Sequence, residues 1–119
     1  MPWKLVPLLE FLPQFAAELR SGLMALGEDH LASQVDDLAV YRCSYDDSGE
    51  AGYIRVKSLL KVNVVEQNLI GTRYGRTVPV THSCDVYVDV DNFDRITGIE
   101  ILEPASCAAD LLAFGESRF

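Results

Sequence analysis

The sequence predicts an α+β fold: an antiparallel sheet of about five strands packed against an N-terminal helix and a short C-terminal helix. Three observations carry this. Val86, Val88 and Val90 alternate with Tyr87, Asp89 and Asp91, the period-2 pattern of a strand with one buried face. Leu8, Leu12, Phe15, Leu19, Leu23 and Leu26 recur at steps of three and four, which puts them on one face of a helix. The β-rich stretches are grouped between these leucines and an Ala/Leu-rich C-terminus.

Taken in order, Pro7 suits the first turn of a helix, where its missing N–H leaves no bond unmade. Pro13 either kinks that helix or begins it. Gly27 is a natural C-terminal cap, and residues 28–35 make a second short helix bearing Leu31 and Val35. Leu38–Tyr45 and Ala51–Ser58 read as a hairpin about the Asp46-Asp47-Ser48-Gly49 turn, with Tyr53, Ile54 and Val56 supplying β propensity. Residues 60–67 read as a further strand and 69–78, with two glycines and two arginines, as an exposed loop or hairpin tip. Residues 78–91 and 95–103 complete the sheet as a hairpin interrupted by Asn92, Phe93 and Asp94. Pro104 opens a final helix over 105–114, closed by Gly115.

At 119 residues the chain is expected to form one domain, 1–119, with a core of its own. A hydrophobic share of 49% is too high for disorder. No apolar run approaches the roughly 20 residues that span a bilayer, and Pro7, Glu10 and Pro13 interrupt what a secretory signal would need. Cys43, Cys84 and Cys107 contain no CxxC pair, so a reduced, cytoplasmic protein with structural thiols is expected.

The formal charge of −8 is unevenly distributed. Residues 51–84 hold Arg55, Lys57, Lys61, Arg73 and Arg76 against Glu66 alone, whereas the remainder is strongly acidic. Such opposed fields steer charged partners. No basic stripe with interleaved aromatics dominates, which disfavours nucleic-acid binding, so no nucleic-acid partner is expected.

Tyr53-Ile-Arg55, Val88-Asp-Val-Asp91 and Gly98-Ile-Glu-Ile-Leu102 resemble the motifs of a small bacterial domain family of unknown function. That family shows a Tyr-Ile-Arg strand, an acidic turn and a Gly-Ile-Glu-Ile hairpin strand. The resemblance covers about the last two-thirds of the chain and implies a compact sheet with a helix. The insert from 59 to 81 and the helical N-terminus lie outside the shared pattern, and no catalytic residue is carried over.

Chemistry is sparsely signalled. Asp89 and Asp91, on one face of an alternating strand, would bring two carboxylates toward one hard cation. Their spacing to Asp94 lacks the glycine and glutamate of a calcium loop, so no metal is expected. His82 and Cys84, two apart, could share a metal or act as base and nucleophile, with Cys43 or His30 completing the site. There is no phosphate-cradling glycine loop, HExxH or nucleophile elbow.

The expected function is therefore binding without catalysis and without a cofactor. The interface candidates are Arg73, Tyr74, Arg76, Asp89 and Asp91, because Arg and Tyr anchor interfaces and carboxylates meet basic partners. An immunity or inhibitor protein that neutralises a toxin or another basic protein fits these properties. A small-molecule or enzymatic pocket near His82 and Cys84, with Tyr87, is the alternative, and a homodimer through a strand edge is a third.

Overall fold

The computed structural model describes residues 6–45, 51–58, 73–80 and 85–103. In chain order they form β1 (Val6–Pro7), α1 (Leu8–Phe11), α2 (Pro13–Ala25), α3 (Asp29–Val35), β2 (Leu38–Tyr45), β3 (Ala51–Ser58), β4 (Tyr74–Val80), β5 (Val86–Asp91) and β6 (Ile96–Leu102). The sheet is antiparallel throughout, in the order β1-β2-β3-β6-β5-β4. The architecture is α+β, with six strands among the described residues rather than about five. The strand expected over 60–67 and the helix expected over 105–114 lie outside the described residues.

Pro13 begins a helix rather than kinking one. The residue before a proline is pushed out of the α region, and Leu12 sits at φ −137°, ψ 73° between α1 and α2. Helix α2 ends in a Schellman motif, with Gly27 at φ +81°. The Gly27 N–H donates to Met24 O at 3.0 Å and the Glu28 N–H to Leu23 O at 2.9 Å. The reversal turns Leu26 out to 48% exposure, so the leucine stripe ends at Leu23, one position earlier than its spacing predicts.

Leu8, Leu12, Phe15, Leu19, Leu23, Leu31 and Val35 form one apolar cluster with Val40, Ile54, Val56, Val78, Val88 and Ile99 from the sheet. The helices therefore cover one face. Cys43 is part of this core, and burial pushes its thiol up to about 11, so at neutral pH it is a protonated small hydrophobe.

Residues 78–91 are not one strand. β4 already begins at Tyr74, inside the segment expected to be a loop, and pairs with β5 from Val80↔Val86 to Tyr74↔Asp91. Two residues hid it. Gly75 occupies a bulge between Tyr74 and Arg76, where a Cβ would lie 2.5 Å from the Asp91 carbonyl oxygen. Pro79, opposite Tyr87, is tolerated because β4 lies at the edge of the sheet among the described residues and pairs there with β5 alone.

Candidate interaction surface

The β5–β6 turn is organised by Asp91. Its carboxylate Oδ1 accepts the N–H groups of Phe93 and Arg95, both at 2.9 Å, and Oδ2 accepts Arg95 Nε at 2.9 Å. The Asp94 N–H donates to Asp91 O at 3.0 Å, and Asp94 then takes φ +65°. A turn followed by a left-handed residue is the standard three-residue hairpin connection. The polar side chain of aspartate makes that conformation accessible without glycine.

This turn clamps the start of β4. The Asn92 N–H donates to Arg73 O at 2.9 Å, and the Arg73 N–H donates to Asn92 Oδ1 at 2.8 Å. Two large aromatic side chains are consequently presented at the same end of the sheet: Tyr74, 66% exposed, and Phe93, 46% exposed. The Arg95 guanidinium lies 5.4 Å from the Phe93 ring centroid, an attractive cation–π arrangement that orients the ring.

On the face away from the helices, a hydrogen-bonded row crosses four strands. Tyr53 OH donates to Asp89 Oδ2 at 2.5 Å, and Thr77 Oγ1 donates to Asp89 Oδ1 at 2.8 Å. With the Thr77 proton so used, Tyr74 OH is the donor in its 2.8 Å bond to Thr77 Oγ1. Burial first, and then the bond to the Asp89 carboxylate, push the Tyr53 phenol well above its ordinary range. The Tyr53 ring crosses β6 over Gly98, where a Cβ would overlap its hydroxyl and Cζ.

Gly98→Ala should therefore swing Tyr53 off Asp89 and lower stability by about 1–2 kcal/mol. In a Tyr53→Ala background the same change should be close to neutral, because the overlap is gone. A double-mutant cycle by urea melts measures this, and additivity of the two changes would show that the ring does not rest on Gly98.

On the helix side, Arg76 reaches back to the α2–α3 connection. Its guanidinium makes two 3.0 Å bonds to the Glu28 carboxylate and one of 3.2 Å to Asp94 Oδ1. The bond to Arg76 holds the Glu28 carboxyl below its usual range. His30 Nε2 stands 3.8 Å from Asp94 Oδ2. Gln34 completes the docking of α3: its Nε2 donates to Asp94 O and its Oε1 accepts the Ile96 N–H, both at 2.9 Å.

The five interface candidates thus separate. Arg73 and Tyr74 stand at the sheet end, Asp89 lies at the centre of the open-face row, Arg76 is paired with Glu28 and Asp94, and Asp91 is buried in its own turn. Asp89 and Asp91 share no partner, because the register shift between Asp89 and Val90 gives them separate surroundings. No group of three or more metal-capable side chains occurs among the described residues. His82 and Cys84 lie outside the described residues, and Tyr87, opposite Glu100, is half-buried. No helix among the described residues is long and apolar enough to cross a membrane.

Sequence reasoning missed Phe93, Asn92 and Gln34. Phe93 carried a signal, since a large aromatic in a polar turn has no core to enter; Gln34 carried none. In comparisons with protein families, curated proteins and solved structures, nothing matches this chain.

Proposed function

We propose that this chain is a small, acidic, non-catalytic protein-binding domain of the cytoplasm, whose contact surface is the sheet end built by Arg73, Tyr74, Asn92 and Phe93. The observation that carries the reading is the exposure of Tyr74 and Phe93 together at one hydrogen-bonded end of the sheet. Rigid aromatics lose little entropy on binding and bury large areas, which is why Tyr and Arg recur at interface hot spots. The net charge of −8 favours a partner with a basic surface and speeds encounter with it. An inhibitor that occludes the basic active site of a toxin, in the manner of an immunity protein, has these properties.

The test uses the chain as bait in lysate from its host, in low and then high salt, beside Tyr74→Ala/Phe93→Ala. Tyr74 is 66% and Phe93 46% exposed and neither belongs to the core, so the variant should fold with nearly parental stability. One stoichiometric protein is expected, weakened by salt and bound at least about tenfold less tightly by the variant. A partner held equally by both would move the contact off this surface. The absence of any protein partner would overturn the binding reading.

A further inference from the structure

The β2–β3 half of the open face has a different character. Arg42 and Arg55 are direct cross-strand partners, and Lys57 stands two residues beyond Arg55 on the same side of β3. All three side chains are exposed. None of the ion pairs among the described residues includes them, although the chain holds 18 acidic residues. Two of the cations lie over aromatic rings instead: the Arg55 guanidinium is 5.2 Å from the Tyr53 centroid and the Lys57 ammonium 5.2 Å from that of Tyr41. The bulge between Val40 and Arg42 is what aligns Arg42 with Arg55. Like charges directly opposite one another destabilise a sheet, so this alignment works against the fold unless an anion relieves it.

We infer that Arg42, Arg55 and Lys57, floored by Tyr41 and Tyr53, form a docking surface for an extended acidic segment of a partner protein. Same-face residues on β3 repeat every two positions, roughly 7 Å, the same interval at which an extended peptide presents side chains to one side. Glutamates at alternate positions of such a segment meet Arg55 and Lys57 in register, and Arg42 widens the cationic row. Carboxylates forming charge-assisted bonds to guanidinium groups provide the attraction. Glu100 lies opposite Tyr53 and Asp89 opposite Gly98 on the adjoining strands, so acidic groups border the patch and confine an anion to its β2–β3 half, which suits a short acidic segment over a nucleic acid that extends across the sheet. The inference does not rest on the sheet-end surface, whose residues lie on β4 and in the β5–β6 turn, not on β2 or β3.

The probe is a labelled Glu-Thr-Glu-Thr-Glu-Thr-Glu peptide, with its Gln-for-Glu counterpart and an oligothymidylate of equal charge as comparators, followed by anisotropy at low and high salt. The acidic peptide should bind at least about tenfold tighter than the glutamine peptide at low salt, and lose this advantage as salt rises. The triple variant Arg42→Gln/Arg55→Gln/Lys57→Gln should lose the difference, whereas Tyr74→Ala/Phe93→Ala should bind the peptide as the parent does. Because the cationic pair opposes folding, Arg42→Gln alone should raise Tm by about 1–4 °C. Equal binding of both peptides, parental binding by the triple variant, oligothymidylate binding as tight as the acidic peptide, or a lowered Tm for Arg42→Gln would each overturn the inference.

Discussion

Leu19→Ala should lower the unfolding free energy by about 2–5 kcal/mol, and Leu23→Ala by a similar amount. Both side chains have no exposed surface and belong to the single cluster that joins the helices to the sheet. Truncation loses the transfer energy of the removed carbons and leaves a cavity into which a closely packed core collapses only in part. Leu26→Ala is the internal control. Leu26 belongs to the same leucine pattern but stands outside the core beyond the Schellman reversal, so its loss should stay within about 0.5 kcal/mol. Urea melts of the three variants check the set. A Leu26 cost equal to that of Leu19 would mean that α2 continues past Ala25 and buries the whole stripe.

Asp91→Ala should be nearly as damaging, at about 2–4 kcal/mol. The Asp91 side chain is 3% exposed, and one oxygen holds two backbone N–H groups while the other meets Arg95. Alanine would leave those donors without an acceptor and Arg95 without its 2.9 Å partner. Asp91→Asn keeps a carbonyl oxygen for the two N–H groups and loses only the charge, so it should cost about half as much. The local consequence is as informative as the stability. With the turn loosened, Asn92 no longer clamps Arg73, and amide exchange at Arg73 and Asn92 should accelerate more in the alanine variant than in the asparagine one. Equal stability of the two variants would show that the ion pair, not the turn geometry, is what Asp91 contributes.

The two variants also mark where sequence reasoning succeeds. Leucines at helical spacing and valines at period two report burial directly, because a side chain's face follows from backbone geometry within a few residues. The start of β2 after Asp36-Asp37 and the separation of β2 from β3 by the Asp46-Asp47-Ser48-Gly49 composition were legible in the same local way. β4 was not, since Gly75 and Pro79 are strand-breaking by composition and become permissible only once the strand is seen to lie at the edge of the described sheet and to bulge against Asp91. β1 is two residues long and exists only through its pairing with β2.

At the surface the division is sharper. Arg73 and Tyr74 could be selected by residue type, but Arg76 is of the same types and neighbourhood and is held by Glu28, 48 positions away. Gln34 ties α3 to the β5–β6 turn across 60 and 62 positions. The row of Arg42, Arg55 and Lys57, which enters no ion pair among the described residues, depends on a register shift that moves every later residue of β2 by one place. By itself the sequence determined the fold class, the core-facing residues and the acidic character, all properties of local spacing and composition. Which charged groups pair with one another within the chain was decided only by the tertiary structure, because ion pairs and cross-strand alignments join residues far apart in the chain at distances of a few ångströms.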